Sequence, residues 1–119
     1  MPAKRFLDTN VLLYAYDREA GSKREIATVL LEIGWHHLGS VAVSVQVLQE
    51  FYVNFLRKGG KATEARSIIE DLSVWPVVDN TRELLGHALV LVERWQVSLW
   101  DAMILAAAQA CGAEELLTE

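Results

Sequence analysis

Three acidic residues occupy positions where a carboxylate could do chemistry. Asp8 directly follows the apolar pair Phe6–Leu7, Glu50 lies in a mostly apolar helical segment, and Asp101 precedes the apolar residues 102–108. Carboxylates that converge repel one another by about several kcal/mol at an effective dielectric constant near 20, unless a cation lies between them or one becomes protonated. Carboxylate oxygens suit hard ions such as Mg²⁺ and Mn²⁺, which also bind phosphate oxygens. Phosphodiester hydrolysis is therefore the reaction class that these residues fit best.

Each of these residues also has a purely structural interpretation. Asp8 could simply cap a helix, Glu50 could be a solvated helix residue, and Asp101 could stabilise a helix start together with Ser98, three residues earlier. The apolar neighbours of Glu50 and Asp101 favour a functional role. Together the three positions outweigh their separate structural interpretations.

The elements that must position these carboxylates alternate along the chain. Short apolar runs at 5–8, 40–43, 73–78 and 116–118 predict strands, and the segments between them have helical periodicity. This alternation predicts a parallel sheet with helices on both faces. Functional residues of such sheets collect at the carboxyl ends of the strands. We therefore expect the three acids to meet at that edge.

Several helices have clear capping and amphipathic signals. Ser22, with Glu25 three residues later, predicts a capping box, and Thr63 is a predicted cap of the helix over 63–72. In the helix that follows Ser22, the residues expected to face the core are Ile26, Val29, Leu30 and Ile33. Ser44 is predicted to cap a helix over 45–57, whose core-facing residues are Val47, Leu48, Phe51, Phe55 and Leu56. Pro76 places the third strand at an edge or at a strand start.

Length and composition limit the class of protein. A chain of 119 residues that is 52% hydrophobic and 23% charged predicts one globular domain over residues 1–119. No apolar run approaches the roughly 18–20 residues needed to span a bilayer. The N-terminus has no apolar secretory region before Asp8, so we expect a cytoplasmic protein without membrane association.

The charge is unevenly distributed, which affects the case for a nucleic-acid partner. The net charge of −5 argues against electrostatically driven binding, but residues 1–61 carry a net +2 and residues 62–119 a net −7. Arg57, Lys58 and Lys61 surround Gly59–Gly60 and form the one local basic patch. Two interpretations of this patch remain open: contact with RNA phosphates or a solvated helix end.

Four motifs in order resemble those of PIN domains, and specifically of the VapC-type toxins of toxin–antitoxin pairs. They are FLDTNVLLYA at 6–15, SVQVLQEF at 44–51, SLWDAMILAAA at 98–108 and LLTE at 116–119. Each motif is short, but four with the family's spacing form a specific signal that covers nearly the whole chain.

The resemblance implies a PIN-like three-layer α/β/α fold and a metal-dependent endoribonuclease. Asp8, Glu50 and Asp101 would be the catalytic residues and would bind Mg²⁺ or Mn²⁺ directly or through water. Asn10 and Thr118 would belong to the polar shell that orients them. The implied partners are an RNA substrate, a cognate antitoxin protein and a second copy of the chain in a homodimer.

The C-terminus departs from the family pattern. The family's last motif normally has a fourth acidic residue just after the Thr-Glu pair, and this sequence ends at Glu119. Glu119 is one residue too early to replace it, because a one-residue shift in a strand turns the side chain to the other face. We therefore expect a truncated C-terminal strand and a site with three carboxylates.

Two other functions are compatible with parts of the sequence. The missing fourth acid would suit a catalytically impaired PIN fold that acts as an interaction module binding a partner protein or RNA. An Asp at a strand end also begins phosphatases of the haloacid dehalogenase type. That chemistry requires a second Asp where this chain has Asn10, and a downstream Lys, of which there is none after Lys61.

Overall fold

The computed structural model describes residues 3–118, which form a central parallel sheet flanked by helices. The elements are β1 (Arg5–Leu7), α1 (Thr9–Ala15), α2 (Ser22–His36), β2 (Val41–Ser44), α3 (Val45–Arg57), α4 (Ala62–Leu72), β3 (Val77–Val78), α5 (Arg82–Trp95), α6 (Leu99–Ala110) and β4 (Glu115–Leu117). The strand order is β3-β2-β1-β4. This three-layer α/β/α architecture confirms the predicted fold class.

The two central strands are buried because each pairs on both sides and is covered by helices. Phe6 and Leu7 of β1 and all four residues of β2 are buried. β1 pairs in parallel with β2 and with β4, and Phe6 lies between Ala42 and Leu116. The backbone N–H of Asp8 donates to the carbonyl of Leu117 at 3.0 Å. Asp8 therefore lies at the carboxyl edge of the sheet, as expected.

α3 forms as its sequence predicts. The Ser44 hydroxyl accepts a hydrogen bond from the Val47 N–H at 3.2 Å and caps the helix. Val47, Leu48 and Phe51 are buried, and Phe55 is partly buried against the same core. The predicted cap is confirmed. The predicted core face is confirmed except at Leu56, which is only partly buried and does not belong to this core.

α2 differs from its prediction in its start and in its buried face. Gly21, with a φ of 61°, precedes the helix as its cap, and Ser22 is already helical. Ile26 and Val29 are 63% and 54% exposed, whereas the buried positions are Ala27, Leu31 and Gly34. The prediction was wrong for Ile26 and Val29, whereas the two other predicted residues, Leu30 and Ile33, are partly buried against the core.

Two smaller predictions concern α4 and β3. Thr63 lies inside α4, whose cap position is Lys61 without a side-chain hydrogen bond, so the predicted Thr63 cap was wrong. β3 is shorter than predicted and follows Pro76 at the sheet edge, which confirms the edge position.

Within residues 3–118, no helix combines the length and apolarity needed to cross a bilayer.

Candidate functional site

Asp8 is a half-buried carboxylate at the junction of β1 and α1. Its side chain caps α1 by accepting a hydrogen bond from the Thr9 N–H at 2.6 Å. Burial raises the pKa of Asp8 above its ordinary value, the Thr9 bond opposes that shift, and the negative charges of Glu50 and Asp101 raise the pKa further. The predicted cap is confirmed, and Asp8 lies close enough to Glu50 and Asp101 for their charges to affect its pKa. Its functional role stays a prediction.

Glu50 lies in the second turn of α3, and neighbouring side chains restrain both of its oxygens. The Thr9 hydroxyl donates to Glu50 Oε1 at 2.7 Å, and Gln46 Nε2 lies 3.4 Å from Glu50 Oε2. Thr9 and Gln46 are both buried. The Glu50 carboxylate is therefore held in one orientation by donors from α1 and from its own helix.

Asp101 lies in the first turn of α6, and Gln46 links this turn to α3. Ser98 caps α6 by accepting from the Asp101 N–H at 3.1 Å. Gln46 Nε2 also donates to the carbonyl of Trp100 at 3.2 Å. One buried amide thus connects Glu50 to the residue before Asp101. The Asp101 side chain itself is exposed.

Asn10 and Thr118 flank these carboxylates without being hydrogen-bonded to them in the part of the chain that the structure describes. Asn10 is exposed in the first turn of α1. Thr118 is exposed after β4 and lines a cavity of about 320 Å³ together with Val11 and Lys23. Their role as orienting residues stays a prediction. Glu119 lies outside the described residues.

The basic patch lies farther along α3. Lys58 ends the helix and forms an ion pair of 3.6 Å with Asp17, and Arg57 Nη1 lies 3.5 Å from Asn54 Oδ1. Eight residues separate Glu50 from Lys58, which corresponds to about 12 Å along a helix axis. The patch therefore adjoins the carboxylates along one helix without contacting them.

Comparison with known protein families identifies the family of this chain. The PIN domain family matches residues 5–119. The chain belongs to the PIN domain family. This confirms the family that the four motifs predicted. No curated protein matches the sequence.

Solved structures share the fold of this PIN domain. A toxin–antitoxin complex from Klebsiella pneumoniae matches with a TM-score of 0.72 and 22% identity, over 96% of this chain and 85% of the other. VapC20 of Mycobacterium tuberculosis, described as a toxin that cleaves the sarcin-ricin loop, matches with a TM-score of 0.71 and 22% identity, over 98% and 89%. VapBC2 of Rickettsia felis, bound to a promoter DNA fragment, matches with a TM-score of 0.63 and 20% identity, over 97% and 98%. At these identities the likeness establishes the fold.

Sequence reasoning missed two side chains of this PIN domain site, Thr9 and Gln46. A signal for each is present in the sequence. Thr9 directly follows Asp8, and Gln46 lies four residues before Glu50, a spacing that places both on one helix face. Their hydrogen bonds to Glu50 depend on the packing of α1 against α3 and on a side-chain orientation that spacing alone does not specify.

The donor chemistry of the site fits a hydrated divalent ion. Among residues 3–118, no three Asp, Glu, His or Cys side chains are placed as ligands of a single ion. Burial is the main cause of the raised pKa of Asp8, and the negative charges of Glu50 and Asp101 add to it; a cation beside Asp8 would favour its ionised form. Mg²⁺ typically retains several waters and binds directly to only one or two carboxylates. These three residues could therefore hold such an ion partly through water.

Proposed function

We propose that this PIN domain is a metal-dependent endoribonuclease that hydrolyses RNA phosphodiester bonds. The observation that carries the proposal is the hydrogen-bonded junction at the carboxyl edge of the sheet: Thr9, next to the half-buried Asp8, donates to Glu50, and Gln46 lies beside Glu50 and donates to the residue before Asp101. Family membership supports the same reaction class, and the fold shared with a toxin that cleaves the sarcin-ricin loop supports RNA as the substrate.

The carboxylates have distinct roles in this proposal. Asp8, Glu50 and Asp101 would hold Mg²⁺ or Mn²⁺, which when bound supplies an activated water and stabilises the leaving oxyanion. Asp8 contributes a desolvated negative charge, whereas Glu50 is kept in position by Thr9. Asp101 is exposed and would meet the ion from the solvent side. Asn10 and Thr118 would complete the polar shell.

The test is cleavage of a fluorescently labelled RNA with Mg²⁺, with Mn²⁺ and with a chelator. We expect wild-type cleavage only with metal, and a loss of about 100-fold or more in Asp8→Asn and Asp101→Asn, since each would remove a metal ligand. Glu93→Gln, which changes an exposed glutamate of α5, should cleave like wild type. Metal-dependent cleavage by Asp8→Asn at the wild-type rate would refute the proposal.

Binding calorimetry with Mg²⁺ and Mn²⁺ distinguishes the proposed nuclease function from the alternative function as an interaction module. Metal binding that Glu50→Gln weakens, and Glu93→Gln does not, would support the nuclease. If wild type binds neither ion, the three carboxylates are not a metal site and the interaction module becomes the better explanation.

We infer that the protein acts as the toxin of a toxin–antitoxin pair in the cytoplasm. The fold likeness to the toxin–antitoxin complexes supports this role. A cognate antitoxin could cover Ile26, which is exposed on α2 and lines the 320 Å³ cavity beside β4. Induced expression of the chain in bacteria should arrest growth, and Asp8→Asn should relieve the arrest. If wild type and Asp8→Asn arrest growth equally, the toxicity does not depend on the carboxylate site.

We also propose a homodimer. Val45, Leu48 and Tyr52 of α3 line an apolar groove of about 530 Å³ with Ile69 of α4, and Val53 beside them is 51% exposed. Light scattering should give twice the chain mass of 13.3 kDa, and Val53→Glu should give a monomer because a charge in an apolar interface is costly. A wild-type monomer at high concentration would refute the dimer.

A further inference from the structure

A second cavity lies beside the carboxylates, where α1 and α3 both end. It has a volume of about 680 Å³ and opens to solvent. Its side chains combine two aromatic rings with two acids and two bases: Tyr16, Phe55, Asp17, Glu19, Arg18 and Lys58. Such a mixture suits a flat, partly polar ligand.

The cavity is joined to the carboxylate site by the packing of α1 against α3. The Thr9 hydroxyl, at the start of α1, donates to Glu50 in the second turn of α3, and past the ends of both helices Lys58 pairs with Asp17. Glu50 and Lys58 are about 12 Å apart along α3. An OB fold binds roughly 4–16 nucleotides of a single strand. A strand of that length is long enough to occupy the carboxylate site and this cavity together.

The two aromatic residues of the cavity, Tyr16 and Phe55, both pack against the buried ring of Phe51. Phe51 is fully buried, stacks on Phe55 at a centroid distance of 5.3 Å and meets the edge of Tyr16 at 5.7 Å. Tyr16 is 39% exposed. Gly60 lies so close to Phe55 that a Cβ there would collide with the ring. Phe51 and Gly60 thus fix the Phe55 ring, and the exposed Tyr16 ring beside it is a preorganised surface on which a planar base can stack, without specifying which base.

The charges of the cavity favour a base over a phosphate. Asp17 and Glu19 oppose Lys58 and Arg18, so the lining carries no excess positive charge. A carboxylate accepts hydrogen bonds from base amino groups, as in the contact of Glu or Asp with cytosine N4. Exposed Arg57, at the end of the same helix, is available for the adjacent phosphates.

We propose that this cavity is a nucleobase subsite that binds one unpaired base of the RNA, stacked on Tyr16. The base bound best carries an exocyclic amino group that donates to Glu19, because both oxygens of Asp17 are engaged by Lys58 and by the Glu19 N–H. Arg57 and Lys61 bind the flanking phosphates. This inference rests on the proposed function, since it extends the substrate-binding surface of the same site.

The test measures binding of a short single-stranded oligoribonucleotide in chelator, where cleavage does not occur. 2-Aminopurine, a fluorescent base carrying an amino group, is placed at each position in turn, because stacking on an aromatic ring quenches it. We expect strong quenching at one position. Tyr16→Leu should abolish the quenching and weaken binding about tenfold, the scale of one base–aromatic stack. Trp95→Leu is the control, because Trp95 is an exposed aromatic residue at the end of α5 and does not line the cavity.

A second variant separates base recognition from folding. Glu19→Gln changes an exposed side chain and removes no apolar contact. It should reduce the preference for an amino-bearing base over uracil at the quenched position, while thermal unfolding stays at the wild-type temperature. An unchanged preference would overturn the assigned recognition by Glu19.

The outcomes for the subsite and for the proposed function are distinguishable. If wild type cleaves RNA with metal but Tyr16→Leu binds RNA as Trp95→Leu does, the subsite is refuted and the nuclease stands. If the 2-aminopurine is quenched and Tyr16→Leu abolishes the signal, but no RNA is cleaved with metal, the subsite stands and the nuclease fails. Absence of quenching at every position refutes the subsite.

Discussion

α2 and α3 differ in which side chains they bury, although the sequence gives both an apolar stripe. α3 buries its large residues, with Phe51 fully covered and Leu48 only 7% exposed. α2 buries Ala27, Leu31 and Gly34 and leaves Ile26 exposed. Apolar periodicity therefore identified both helices, but it predicted the buried face of α3 more accurately than that of α2.

The difference arises from what each helix meets. Gly34 of α2 lies so close to the buried Trp75 that a Cβ at this position would collide with the indole ring. Trp35 packs against the same ring at a centroid distance of 5.3 Å. Because the Trp75 ring leaves no room for a side chain at Gly34, α2 packs against the core on the side of Ala27 and Gly34, and Ile26 and Val29 lie outside. Large exposed apolar residues on α2 are then available to a partner.

The largest effect should follow from truncating the core side chain of α3. Phe51→Ala removes a fully buried ring that contacts Tyr16 and Phe55, and should lower the free energy of unfolding by about 3–5 kcal/mol. Ile26→Ala on α2 should stay within about 0.5 kcal/mol of wild type. Urea unfolding measures both. Comparable losses in the two variants would mean that Ile26 is buried in solution.

A glycine pair tests the close approach of α2. Gly34→Ala should lower the free energy of unfolding by about 1–3 kcal/mol, because Trp75 must move to admit the methyl group. Gly86→Ala on α5 is the matched control. No atom lies within 4 Å of its added Cβ, so it should be neutral or raise stability by up to about 1 kcal/mol. Thermal unfolding of both variants provides the measurement, and a stabilised Gly34→Ala would contradict the packing.

The polar face of α3 is tested at Gln46. Gln46→Leu removes the amide that donates to the Trp100 carbonyl and lies 3.4 Å from the Glu50 carboxylate, and should lower metal affinity and RNA cleavage by about 10- to 100-fold. Gln49→Leu, an exposed glutamine three residues later, should keep both near wild type. Calorimetry and cleavage rates distinguish the two. Equal rates in both variants would show that Gln46 does not position the site.

The smallest effect concerns the pH dependence that Asp8 contributes. Burial and the neighbouring carboxylates raise the pKa of Asp8 in the folded state, so its ionisation destabilises the fold as pH rises above the ordinary value of 3.8. In chelator, Asp8→Asn should therefore be more stable than wild type at neutral pH, and this advantage should shrink as pH falls and wild-type Asp8 becomes protonated. Thermal unfolding across this range measures it; an advantage that grows on acidification would contradict the shift.

Local chemistry determined much of the fold in advance. Ser44, Thr81 and Ser98 precede helices that they cap through their hydroxyls, and Pro76 precedes an edge strand because proline lacks a donor for a central ladder. The expectation for Asp8 also depended on short-range information, since an acid directly after a buried strand of a parallel sheet must lie at the carboxyl edge.

The sequence by itself determined the order of the elements, the family and the three acids of the candidate site, because caps, periodicity and motif spacing are properties of neighbouring residues. Only the tertiary structure decided which face of α2 is buried and which donors hold Glu50. The first depends on Trp75, about 40 residues beyond α2, and the second on Thr9, which is 41 residues from Glu50. Contacts over such distances form only when the sheet brings the helices together, so no local pattern encodes them.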